Sequence, residues 1–212
     1  MLNRVVDMLV ERKMFLRQRK KDRTRVLGML LYHLGLSLRE TREILSASFE
    51  PVSHETVRQW YLRMGEMIES LEKKERKAIA IDETKVRMKG KWIYLWAAID
   101  LETREILAVY VSTTRTCLET HSFLRKIMKY CTNKPYVYVD GGPWYPWALT
   151  RLGFKWEHKT FGPRNPIEQW FGTLKRRITR FYKSFNTTTN VWNTLKWFKS
   201  YQTAYNLIWT LS

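Results

Sequence analysis

At Ala78 the texture of the chain changes, and that change limits what it can fold into. Ala78-Ile79-Ala80-Ile81 is a short apolar run closed by Asp82, Trp92 to Ile99 is a longer run, and Glu105 to Val111 is a third. Lys89-Gly90 and Leu101-Glu102-Thr103 join them. Apolar runs of this length bounded by turn residues read as strands, and connections this short suit an antiparallel meander. A helix is expected from about Leu118 to Tyr130, then a strand over Tyr136-Val137-Tyr138-Val139 that ends in Asp140-Gly141-Gly142-Pro143. A short helix and a strand near Phe154 to Lys159 follow. Asn165 opens a long helix with Ile167, Phe171, Leu174, Ile178 and Phe181 on one face. Val191 to Trp209 reads as a last helix, rich in tryptophan, whose stripe should pack on the sheet. Residues 78–212 therefore predict an α/β or α+β domain, a sheet with helices laid on it.

Upstream, residues 1–70 read as helical. A basic run from Arg17 to Arg25 leads into Val26, Leu27, Leu30, Leu31 and Leu34 at helical spacing, and Gly35 stops that helix. Ser37-Leu38-Arg39-Glu40 has the form of a capping box. After a break from Ser46 to Val52, Ser53 caps another helix. Its buried stripe would be Val57, Trp60 or Tyr61, Met64 and Ile68, and its other face carries His54, Glu55, Arg58 and Gln59. In a helix-turn-helix the second helix enters the major groove and its first residues meet base edges. That assigns His54, Arg58 and Gln59 to DNA. The connection is longer than in the tight form of that motif, so an ordinary helical hairpin fits the same pattern. Leu71 to Lys77 reads as a charged linker between the two parts.

Charge says what such a chain meets. Thirty-eight Lys and Arg oppose 20 acidic residues, a net +18. A field that strong attracts a polyanion, with nucleic acid ahead of a basic ribosomal or chaperone-type role, and predicts salt-sensitive binding. A membrane partner is not expected: no run approaches the ~18 apolar residues of a spanning helix, and no secretory signal is visible. Cys117 and Cys131 lack metal-binding spacing, which argues against zinc or a disulfide framework and fits a reducing cytoplasm.

The acids are few and unevenly placed. After Glu119 only Asp140, Glu157 and Glu168 remain, among fifteen Lys and Arg. Asp82 and Asp140 each close an apolar strand, and Glu168 lies in the first turn of the long helix. Hard divalent cations take carboxylate oxygens, and two such ions serve phosphodiester chemistry by activating the attacking oxygen and stabilising the leaving one. Each acid also has an ordinary explanation: a strand end, an Asp-Gly turn, and a capping box with Pro166 at the first helical position. Lys175 follows Glu168 by almost two turns on the same helix side, about 10 Å on, where it can hold a phosphate. Arg176, Arg177, Arg180 and Lys183 extend that basic face. Glu83 alternates to the opposite side of the strand from Asp82 and should not share a metal. Asp100, also at a strand end, is expected to be structural.

These residues together resemble the DDE-type insertion-sequence transposases, most closely the IS-six group. The resemblance is carried by Ile81-Asp82-Glu83-Thr84, Lys89 to Asp100, Val139-Asp140-Gly141, Asn165-Pro166-Ile167-Glu168-Gln169 and Lys175-Arg176-Arg177, with Gly35 to Glu40 and Ser53 to Val57 upstream. It implies an RNase H-like mixed sheet flanked by helices behind a small helix-turn-helix domain. It implies a triad of Asp82, Asp140 and Glu168 binding two Mg²⁺ ions, with Mn²⁺ able to substitute, and Lys175 as a phosphate contact. It implies cleavage and strand transfer on double-stranded DNA, at terminal inverted repeats and in target DNA, by a homodimer or larger assembly. The interval from Asp140 to Glu168 is shorter than usual in that family, and Gly141-Gly142-Pro143-Trp144 is bulkier than its usual counterpart. An RNase H-type nuclease would share the fold, and an inactive relative that only binds DNA would need only the N-terminal helices.

Overall fold

The computed structural model describes residues 2–11, 20–66, 72–88, 91–185 and 191–209. Arg17 to Arg19 of the basic run, Ile68, Leu71, the Lys89-Gly90 turn and the side chains of Arg180, Phe181 and Lys183 lie outside the described residues. The chain forms two compact units, residues 1–69 with 196–212, and residues 70–195.

The second unit is built on five strands: β1 (Ala78–Met88), β2 (Lys91–Asp100), β3 (Ile106–Ser112), β4 (Tyr136–Val139) and β5 (Trp156–His158). Their order is β3-β2-β1-β4-β5. β1, β2 and β3 run antiparallel, while β1–β4 and β4–β5 pair parallel. A mixed sheet flanked by helices is the architecture that the family resemblance implies. Helix α5 (Cys117–Ile127) is capped by Thr116, whose hydroxyl accepts the Glu119 amide. With α6 (Tyr145–Arg151) it covers one face of the sheet, where Ile79, Ile81, Trp96, Phe123, Leu124, Val137 and Ala148 are buried together. Alternation puts Ala80 and Asp82 on the other face, toward the long helix α7 (Asn165–Phe185).

One expectation changes here. β1 does not end at Asp82; it continues to Met88 because β2 pairs with it along its whole length, Met88 opposite Lys91. β4 pairs only with Ala78, Ala80 and the residue between them, so the opposite edge of β1 loses its partner just before Asp82. The charged segment from Glu72 to Lys77 keeps Glu72, Lys73, Glu75 and Lys77 exposed but is anchored at Lys74 and Arg76. Lys74 bridges to Cys131. Arg76 is fully buried, with Nη1 2.7 Å from Asp100 and 3.0 Å from Glu105. Breaking such a buried pair costs about 3–5 kcal/mol. Asp100 also accepts the Glu102 and Thr103 amides at 2.8 and 2.9 Å. Burial pushes its carboxyl up, but Thr103, Arg76 and Glu102 outweigh that and hold it below its ordinary value. Asp100 is structural, as expected.

The first unit holds α1 (Leu2–Glu11), α2 (Asp22–Leu34), α3 (Leu38–Ser48), α4 (His54–Met64) and the portion of α8 (Val191–Trp209) from Lys196 onward. α1, not foreseen from the sequence, buries Val5 and Leu9. The capping box at Ser37 forms in both directions, and Ser53 accepts the Thr56 amide at 3.0 Å. Val57, Trp60, Tyr61 and Met64 are all buried. The aromatic residues of α8 from Trp197 onward, whose stripe was expected to pack on the sheet, pack among these helices. Trp197 Nε1 donates to the Tyr32 hydroxyl at 3.1 Å, and the Tyr201 ring lies 4.7 Å from His33. Gly65 permits this approach, since a Cβ there would sit 2.9 Å from the Lys196 carbonyl. An aromatic face shows that a helix is buried without saying against what.

Candidate active site

Acids converge on the edge of β1 beyond Ala80, where the pairing with β4 ends. Asp82 points out of β1 on the α7 side and is 13% exposed at its side chain. Its Oδ1 accepts the Glu83 amide at 2.9 Å, and its Oδ2 meets Arg164 Nη2 at 2.9 Å. Asp140 follows the last residue of β4, and its Oδ1 accepts the Gly142 amide at 3.0 Å, which turns the chain toward α6. Oxygens of Asp82, Glu83 and Asp140 lie within 4.8 Å of one another.

Glu83 therefore departs from expectation. Alternation does send it to the α6 side of β1, yet Asp140 lies past the end of β4 and reaches both neighbours. Both Glu83 oxygens are engaged, one 3.1 Å from Arg115 and the other by the Tyr145 hydroxyl. Arg115 is held in turn over the rings of Tyr94 and Trp144, at 4.8 and 4.3 Å. Trp144 and Tyr145 follow closely on Asp140, so the network ties the Asp140 loop to β1.

Glu168 stands in the first turn of α7 but outside that cluster. Its side chain is 45% exposed, and Oε1 lies 3.6 Å from Arg164 Nη1. The capping box expected at Asn165 does not form. Asn165 Oδ1 accepts the Gly162 amide instead, and the Glu168 amide goes to the Arg164 carbonyl. The Glu168 carboxylate is thus turned toward Arg164 and, through it, toward Asp82. Glu157 pairs with Lys159 at 2.8 Å. Lys175 and Arg176 are exposed on α7. Arg177 is not: it is 5% exposed, beside the buried stripe of Leu174 and Ile178, which takes it off the basic face assigned from sequence. In the first unit His54, Arg58 and Gln59 are exposed, with Arg58 held by Glu55 at 2.6 Å.

Burial pushes the Asp82 carboxyl up to about 6; Arg164 opposes the rise, while Glu83 and Asp140 add to it. Burial likewise raises Glu83. Three crowded carboxylates, with Arg164 on Asp82 and Arg115 on Glu83 as their guanidinium partners, suit a hard divalent cation, for which Asp82 and Asp140 could serve as donors. The sign of the pH dependence follows. Folded Asp82 keeps its proton to about 6, whereas an unfolded aspartate loses it near 3.8. The folded state binds more protons between those values, so stability without metal falls as pH rises through that window. A cation must displace the proton below about pH 6. Its affinity is expected to weaken by up to about tenfold per pH unit there and to level off above it. Calorimetric titration with Mn²⁺ from pH 5 to 8 checks this; a flat affinity would mean that Asp82 is not a ligand.

Residues 76–206 match the family model of the DDE domain of IS240-type transposases. The chain belongs to the DDE transposase family. It is 32% identical over 166 residues to the transposase for insertion sequence element IS257 in transposon Tn4003 of Staphylococcus aureus, covering 74% of this chain and 73% of that one. It is 46% identical over 208 residues to an uncharacterized protein of Methanocaldococcus jannaschii, covering 98% and 97%. The backbone is also similar to the HTLV-2 integrase catalytic core domain, at 16% identity and a TM-score of 0.46 over 59% of this chain and 82% of that one. The resemblance to the IS-six group holds, and with it the activity of a metal-dependent DNA strand transferase. No helix among the described residues is long and apolar enough to cross a membrane. Sequence reasoning missed Arg164, Arg115 and Tyr145 in this transposase. Only Arg164 carried a signal, its spacing of four residues from Glu168 on a helix start.

Proposed function

We propose that this transposase cuts DNA at the terminal inverted repeats of its insertion sequence and joins the freed end to target DNA, with Asp82, Asp140 and Glu168 as its metal-binding triad. The observation that carries the assignment is the meeting of Asp82 and Asp140 at the open edge of β1, with Glu168 linked to Asp82 through Arg164. Two Mg²⁺ ions, or Mn²⁺ in their place, would supply Lewis-acid stabilisation of the attacking and leaving oxygens. Asp82 and Asp140 present their oxygens from the rigid end of the sheet, and Glu168 closes the set from α7. Lys175, with Arg176 beside it, holds the phosphate backbone about 10 Å along the helix. A water oxygen attacks phosphorus and the DNA 3′-oxygen leaves. The freed 3′-hydroxyl then loses its proton and attacks a target phosphorus, the target strand's 3′-oxygen leaves and is protonated, and no covalent bond to the protein forms. α3 and α4 act as the helix-turn-helix, where His54, Arg58 and Gln59 read the repeat once Arg58 leaves Glu55. The working unit is a homodimer or larger assembly on DNA in the cytoplasm, with the nucleoid.

Three substrates test this with Mg²⁺ present: a duplex ending in the inverted repeat, a scrambled duplex, and an RNA–DNA hybrid. Joined products from the repeat end alone are expected. Cutting of the hybrid without end preference would make the protein an RNase H-type nuclease. Tight binding of the repeat without any cutting would leave only a DNA-binding protein.

A further inference from the structure

Arg164 touches two members of the proposed triad. Its guanidinium is 7% exposed and spans β1 and α7, 2.9 Å from Asp82 Oδ2 through Nη2 and 3.6 Å from Glu168 Oε1 through Nη1. Nη1 also donates to the Lys159 carbonyl at 3.3 Å. Nε is buried with no hydrogen-bond partner among the described residues. A buried arginine is ordinarily satisfied on all its donors. Here the two carboxylates, rather than a complete shell of acceptors, hold the side chain in place. The residue is also the start of α7: its carbonyl accepts the Ile167 and Glu168 amides at 3.1 and 3.2 Å. The Arg164 backbone therefore places Glu168, while its side chain places a positive charge between Glu168 and Asp82.

Carboxylates gathered for a divalent cation repel one another without it, and a fold needs some positive charge to keep them close. Arg164 supplies it. The contacts are unequal. Asp82 is held at hydrogen-bond distance in a buried setting, Glu168 at a longer distance with its side chain half in solvent, so Glu168 is the partner more readily given up.

We propose that Arg164 is a built-in counter-cation of the metal-free site, which a divalent ion displaces from Glu168 on binding. This rests on the triad reading above. The guanidinium and the ion compete for the same carboxylate charge. Arg164 thereby stabilises the metal-free protein and raises the metal concentration at which the triad closes, so that the full set of ligands forms only when the ion is present.

The test uses the full chain and two readouts that need no DNA: Mn²⁺ affinity by calorimetry, and melting temperature with and without Mn²⁺. For Arg164→Gln the metal-free protein is expected to melt below wild type. Its Mn²⁺ dissociation constant is expected to fall roughly threefold to tenfold, and the ion should stabilise the variant more than it stabilises wild type. Arg164→Lys, which keeps the charge but not the two-armed reach, should fall between the two and serves if the glutamine variant does not fold. Weaker Mn²⁺ binding in either variant, or an equal shift in melting temperature for variant and wild type, would overturn the proposal, because a purely structural arginine destabilises both states alike. If wild type and Asp82→Asn bind Mn²⁺ equally or not at all, the triad reading fails, and this proposal with it.

Discussion

Asp140→Ala is expected to cut strand cleavage and joining by about 100- to 1,000-fold, the size seen when one group is removed from a charge-stabilising constellation, while binding of repeat-end DNA stays within a few-fold of wild type. The reason is position. Asp140 lies beyond the end of β4, within reach of both Asp82 and Glu83, so no other carboxylate can take its place at the open edge of β1. Glu83 is nearest, yet both its oxygens are engaged by Arg115 and Tyr145. The fold should tolerate the change well. Asp140 is one of the charges that raise Asp82, so its removal relieves repulsion in the metal-free protein. A melting temperature close to that of wild type at pH 7.5, without metal, is therefore expected alongside the loss of activity, the relieved repulsion offsetting the lost hydrogen bond to the Gly142 amide. That pairing separates a chemical role from a structural one. Wild-type strand transfer in the variant would remove Asp140 from the site. Activity lost only in step with unfolding would make it a structural residue.

The parts of this site that were legible in the sequence are those fixed by local pattern. Tyr136 to Val139 is bounded by Pro135 on one side and Asp140-Gly141 on the other, so the strand and the residue at its end could both be read. Asp82 could be found in the same way, but not its setting. The polar stretch Asp82-Glu83-Thr84-Lys85 looks like the start of a turn, and only pairing with β2 keeps it extended to Met88. That same extension brings Glu83 into the acidic cluster. Arginines were the least legible. Among 38 Lys and Arg, nothing local marks Arg76 and Arg177 as buried while Lys175 and Arg176 beside Arg177 stay exposed, and Arg164 is marked only by its spacing from Glu168. A buried arginine is selected by the carboxylates it meets in three dimensions, and those come from distant segments: Asp100 for Arg76, Asp82 for Arg164. The aromatic stripe of α8 fails for a related reason. Its burial was plain from composition, but a stripe of rings fits the tyrosines of α2 and α4 as readily as a sheet.

Affinity for DNA is expected to fall by about 1,000-fold or more between 50 and 200 mM salt, the consequence of releasing counterions from roughly six to ten phosphates. A net charge of +18 supplies the field, but the contacts that set the slope are the exposed cations on the DNA-facing surface. The structure therefore sorts the candidates. Lys175→Gln and Arg176→Gln should each reduce the slope of log affinity against log salt by about 1 and weaken repeat and scrambled duplexes alike, since a phosphate contact carries no sequence information. Arg177→Gln should leave the slope unchanged, because a buried side chain releases no counterion on binding. Its cost appears as lowered melting temperature instead. Arg58→Ala should behave differently from both. If α4 lies in the major groove, loss of a base contact costs about 1–3 kcal/mol against the repeat and little against a scrambled duplex. The gain from Arg58 is reduced by the need to break its pair with Glu55, so Glu55→Gln is expected to tighten repeat binding slightly by freeing the guanidinium. Fluorescence anisotropy across a salt series with both duplexes reads all of these effects. Equal losses for Arg58→Ala on the two duplexes would assign Arg58 to the backbone and take base reading away from α4. A slope that drops with Arg177→Gln would mean that the helix turns this side chain outward when DNA arrives.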